Sequence, residues 1–189
     1  MAREYVGGDE STTQFQKAVA GESELRGKSF TEYNSAGGIK KYRYVYNADT
    51  VSKAVGLPCV YIMSNTTYPG GMVVDQPTAA SLNYFAGVFA QTCTSGVWTW
   101  IQTWGYNTDA ITRRYGSSSG SNGLVGEVLT LITTVDALTT IHGSASTTDL
   151  GPVNPIAFEA NAVRLVAIAS HATSTTTSTG TVFIRGYIP

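Results

Sequence analysis

The stretch FAGVFAQTCTSGVWTWIQTWG, residues 85–105, decides the fold. Two apolar runs, YFAGVFAQT (84–92) and VWTWIQTWG (97–105), flank a turn-type cluster, CTSG. That is the pattern of a β-hairpin. The second run holds all three tryptophans of the chain, Trp98, Trp100 and Trp104, at even spacing with Gln102 between them. Alternation along a strand puts all four side chains on one face and Val97, Thr99, Ile101 and Thr103 on the other. The tryptophan face is the more apolar of the two, so it is expected to be core. A contact with another subunit and a stacking platform for a ligand stay open as alternatives. A sugar platform also needs amides or carboxylates nearby, and only Gln102 and Gln91 are at hand.

Working outward, the same texture recurs. KSFTEYN and KKYRYVYNA flank SAGG as a second hairpin, with Tyr42, Tyr44 and Tyr46 on one face and Lys41, Arg43 and Val45 on the other. LPCVYIMSN (57–65) reads as a strand with Pro58 confined to its start, and YPGGMVVDQP (68–77) as a loop with a short strand. LVGEVLTLIT (124–133) and DALTTIHGS (136–144) give shorter strands. AVRLVAIAS (162–170) and TVFIRGYI (181–188) close the chain as a third hairpin. Its likeness to the 84–105 hairpin leaves internal duplication open. No segment carries a 3.6-residue apolar period long enough for a long helix. The expected fold is all-β, an antiparallel β-sandwich or barrel over residues 29–189. Residues 1–28, polar and without core pattern, form an extended N-terminal arm. The apolar side chains of the arm, Tyr5, Phe15 and Leu25, are expected to lie on a partner subunit.

Composition limits the function. Only 13% of the 189 residues are charged, about half the ~25% usual in soluble domains. The formal net charge is -1, so there is no electrostatic footprint for nucleic acid. MAREYVGGDESTTQFQ lacks the apolar run of a signal peptide, and no apolar run approaches the ~20 residues of a membrane-spanning helix. Cys59 and Cys93 sit in apolar strand contexts and read as buried free thiols.

Motifs for chemistry are absent. His142 and His171 have no Cys, Asp or Glu at metal-ligand spacing. GSSSGSNG (116–123) lacks the Lys-Ser/Thr of a phosphate loop, and no Gly-x-Ser-x-Gly elbow occurs. The acidic pairs Asp9-Glu10 and Glu22 with Glu24 fall in the polar arm, where solvated charge is their expected role. Asn65-Thr66-Thr67 fits a glycosylation sequon in form only. The chain is therefore expected to be no enzyme and to need no cofactor or metal.

Three segments carry a resemblance. GKSFTEYNSAGGIKKYRYVYNADTVSKAVGLPCVYI (27–62) resembles a region of tailed-phage virion proteins. FAGVFAQTCTSGVWTWIQTWG is similar to the hairpin that follows it there, of the form aGva…t…G.y.WiQ..G. VRLVAIASHATSTTTSTGTVFIRGYI (163–188) is similar to their terminal hairpin. These are head-decoration, or auxiliary capsid, proteins. The resemblance spans roughly residues 27–189 and implies a structural role: a β-rich module, made in the bacterial cytoplasm, that binds major capsid protein at subunit junctions on the outer surface of the virion. A homo-oligomer, with a trimer favoured, goes with that reading, and no nucleic acid or membrane partner. The alternative is a phage fibre, tail or adhesin module that touches host-surface glycan.

Overall fold

The computed structural model describes residues 25–33, 38–77, 84–114, 128–132, 135–140, 167–169 and 178–186. Within them the chain is all-β, ten strands and no α-helix. In chain order the strands are β1 (Ser29–Tyr33), β2 (Ile39–Asn47), β3 (Pro58–Tyr61), β4 (Val73–Asp75) and β5 (Phe85–Phe89). They continue as β6 (Trp98–Arg114), β7 (Val128–Ile132), β8 (Val135–Thr140), β9 (Ala167–Ala169) and β10 (Ser178–Arg185).

The pairing closes on itself twice. Neighbours run β1-β2-β4-β3-β5-β6-β10-β9-β7-β8, and two further ladders join β2 to β6 and β6 to β8. Strands β2, β4, β3, β5 and β6 therefore form one closed ring, and β6, β10, β9, β7 and β8 a second. The rings share β6, whose 17 residues are three times the usual strand length of ~5–6. Its first half pairs with β2 and β5, its second with β10 and β8. Most ladders are antiparallel; β2–β4 and β6–β8 are parallel. Closure removes open edges, which otherwise invite pairing with foreign strands. Among the described strands only β1 keeps a single neighbour.

Three buried clusters follow from this path. Val45, Cys59, Tyr61, Val74, Ala86, Phe89, Cys93 and Ile101 come together from the strands of the first ring and the turn before β6. Ala110, Leu129, Leu131, Leu138, Val182 and Ile184 from the second ring meet Val60, Phe85 and Val88 of the first. One continuous apolar contact thus joins the rings. The third cluster is aromatic: Tyr42, Tyr44, Trp98 and Trp100, with Leu25, Phe30, Tyr46, Tyr68, Met72 and Ala90 packed against it.

The strand pairs of the three expected hairpins form, with Tyr33 opposite Ile39, Phe89 opposite Ile101 and Val182 opposite Ala169. The boundary of the arm moves. Gly27 N–H donates to the Tyr44 carbonyl and Tyr44 N–H to the Lys28 carbonyl, so Gly27 and Lys28 continue the β1–β2 ladder. Leu25 packs on the aromatic cluster of its own chain, because that cluster leaves an apolar ring face which the segment covers. Tyr5 and Phe15 lie outside the described residues, as do His142, His171 and residues 116–123.

Candidate functional site

The aromatic wall is built by register. β2 and β6 run antiparallel with Tyr44 opposite Trp100, Tyr46 opposite Trp98 and Tyr42 opposite Gln102. The even positions of both strands thus project together. Tyr44 lies 5.0 Å from Trp100 and 5.7 Å from Trp98, Phe30 stacks on Tyr42 at 4.9 Å, and Tyr68 meets Trp98 edge-on at 5.2 Å. Such pairs add about 0.5–1.5 kcal/mol each beyond their buried area. The Arg26 guanidinium lies 5.1 Å from the Trp98 ring, a cation–π contact. Trp98 and Trp100 are left 4% and 1% exposed. Their cover is the 25–28 segment, β1 and the loop holding Tyr68 and Met72 rather than an opposing sheet. The Tyr42 hydroxyl donates to Glu32 at 2.9 Å; burial, with the Glu32 charge second, raises its pKa.

Trp104 leaves this face. Lys41 is opposite Trp104 while Tyr42 is opposite Gln102, so β6 carries one extra residue there. A bulge of this kind re-aims the side chains that follow it. Gly105 adopts φ 96°, and a Cβ on it would lie 2.2 Å from the Ile39 carbonyl oxygen. Gln102 holds the bulge from inside. Its side-chain amide donates to the carbonyls of Trp104, Gly105 and Tyr106 at 3.1, 3.2 and 3.0 Å and its oxygen accepts from Asn107 at 2.9 Å. Gln102 is therefore bound up in the fold and does not face a ligand. The opposite face is also buried: Thr99, Ile101 and Thr103 are closed off within the first ring, as are Arg43 and Val45.

Past the bulge, Trp104 meets Phe183 of β10 edge to face at 5.2 Å, and Tyr106 meets the same ring at 5.3 Å. Phe183 is directly opposite Tyr106, and Trp104 lies between Lys41 of β2 and Arg185 of β10. Tyr106 is 56% exposed; Tyr33 and Ile39, cross-strand partners on the same side of β1–β2 as Lys41, are 47% and 43% exposed. Tyr33, Ile39 and Tyr106 are exposed and Trp104 and Phe183 part-buried on this side, and together they make an apolar stripe. Even spacing concealed it by placing Trp104 with the other tryptophans. The available signal was Gly105, a glycine inside a strand pattern, which marks a bulge or close backbone approach.

Buried charged side chains lie elsewhere among the described residues. In the β2–β3 connection the Lys53 ammonium lies 2.7 Å from Asp49, both almost fully buried, and donates to Gln76 at 3.2 Å. Asp75 adjoins them. Hydrogen bonds and the Lys53 charge, working against burial, hold the Asp49 carboxyl below its usual range, whereas burial and the Asp49 charge push Asp75 up. Lys53 and Cys93 exchange backbone hydrogen bonds, so this cluster pins the connection to the turn before β6. Arg43 lies 5.4 Å from the Tyr61 ring and donates to the Gly70 carbonyl at 3.0 Å. Burial pushes the Tyr61 hydroxyl up to about 12 against the pull of Arg43. Cys59 and Cys93 are free, and burial raises both thiols, which suppresses the reactive thiolate. Among the described residues no three His, Cys, Asp or Glu side chains gather as metal ligands. Comparison with protein-family models, with curated proteins and with solved structures finds no match for the chain.

Proposed function

We propose that this chain is a structural virion protein, a non-catalytic module that works by being covered by other protein. On this reading it decorates a phage head by binding major capsid protein at subunit junctions, as a homo-oligomer. The observation that carries it is a contrast. The fold pairs both edges of every described strand but one, yet leaves Tyr33, Ile39 and Tyr106 exposed beside Trp104 and Phe183. A protein that seals its backbone but leaves a contiguous apolar stripe has a contact still to make. The low charge supports the same reading, since protein interfaces are rich in aromatics and poor in Lys, Glu and Asp. The resemblance over residues 27–189 supplies the capsid as the setting.

The glycan-binding fibre or adhesin reading is less well supported. Phe183 meets Trp104 and Tyr106 at 81° and 85°, so it shares a plane with neither ring. The charged groups flanking Trp104, Lys41 and Arg185, are cations rather than the amides or carboxylates a sugar platform needs. The two readings differ in stoichiometry. Quantitative mass spectrometry of purified particles should count hundreds of copies per virion; a few or a few dozen would move the chain to the tail.

A further inference from the structure

The apolar stripe has a charged margin. Lys41 and Arg185 are exposed and both pair with Trp104, one on each side of it. The one carboxylate of β1, Glu32, is turned to the opposite face, where it accepts the Tyr42 hydroxyl. The surface therefore combines aromatic area with two cations. It suits an acidic segment with apolar side chains.

The chain contains such a segment. Residues 1–24, MAREYVGGDESTTQFQKAVAGESE, hold five carboxylates, Glu4, Asp9, Glu10, Glu22 and Glu24, against Arg3 and Lys17. Tyr5, Val6, Phe15 and Val19 are spaced among them. We propose that the stripe is the dock for the acidic N-terminal segment of an adjacent copy of this chain. The point of departure favours a neighbour over the same copy. Leu25 is fixed on the aromatic wall, on the face of β1–β2 opposite the stripe, so the segment would have to reverse around β1 to reach its own stripe. Extended, 24 residues span up to ~80 Å, ample to reach another copy. In a closed ring each segment fills the next stripe and none is left uncovered. This deepens the assembly half of the reading above and does not depend on the capsid half.

The test uses the full chain in solution. Carbodiimide, which joins amines to adjacent carboxylates, is applied to a mixture of two isotopically labelled populations allowed to exchange. Mass spectrometry should find Lys41 joined to Glu4, Asp9 or Glu10 in peptides that pair the two labels. The double variant Lys41→Glu, Arg185→Glu alters only exposed side chains; it should shift the solution mass from oligomer to monomer and lower the cross-link yield at least tenfold. Excess synthetic peptide 1–24 should dissociate the unaltered oligomer. Cross-links confined to single-label peptides would overturn the proposal, as would no cross-link at Lys41 or an oligomer indifferent to both the charge reversal and the peptide. None of these readings involves particles, so a chain absent from virion shells could still pass, and a shell protein could still fail.

Discussion

At the residue scale, Gln102 and Gly105 carry the turn of β6 from one ring into the other. Gln102→Ala would remove the donors of three backbone carbonyls and the acceptor of Asn107. Leaving buried polar groups unsatisfied costs about 1–3 kcal/mol, so urea titration should show a loss near the upper end of that range. Gly105→Ala should cost more than ~2 kcal/mol, since φ 96° is unfavourable for any side chain and the new Cβ would press on the Ile39 carbonyl. The tyrosines give a pH signature. Tyr61 has its hydroxyl pushed up to about 12, above the ordinary ~10 of an unfolded chain. A raised folded pKa means that the neutral form is favoured by folding. That contribution is complete below about pH 10 and is lost as pH rises towards 12. Absorbance of phenolate should therefore show Tyr42 and Tyr61 still un-ionised at pH 11 in the native protein, and ionising there once it is unfolded.

At the element scale, the three tryptophans divide. Trp100→Ala should cost about 3–5 kcal/mol, the usual penalty for emptying an aromatic core position. Trp104→Ala should cost less than Trp100→Ala, because Trp104 is only partly buried whereas Trp100 is fully so. Acrylamide quenching of the charge-reversal variant should reach Trp104 and spare Trp98 and Trp100. The tryptophan hairpin, the tyrosine hairpin and the closing hairpin were legible in sequence, because each alternates apolar and polar residues around a Gly- or Ser-rich turn. The strand over residues 106–114 was not. Asn107, Thr108 and Asp109 break the alternation, and they do so where the second of two bulges falls in β6. The ring closures were equally hidden, since β2–β6 and β6–β8 join segments whose pairing no local pattern encodes. Even spacing correctly grouped Trp98 with Trp100 and wrongly added Trp104, for the same reason: period two holds only while the ladder keeps register.

At the scale of the whole molecule, a shared central strand makes the rings interdependent. Val60, Phe85 and Val88 of the first ring pack with Leu129, Leu138 and Ile184 of the second, so the rings should unfold in one transition. Hydrogen exchange should show β6 protected evenly on both sides of Gly105, and Gln102→Ala should lower protection in β2 and β10 alike. A double ring with a single free edge strand among the described residues, and an apolar stripe beside it, is suited to be a fixed part of a larger wall. The proposed capsid role is tested most directly by a cryo-electron microscopy map of phage particles purified from cells that express this chain. The account predicts density for the double ring repeated over the outer surface of the head at junctions between major capsid subunits, with the Tyr33–Ile39–Tyr106 side covered by protein. Density confined to the tail or fibres, or a stripe open to solvent at every copy, would contradict it.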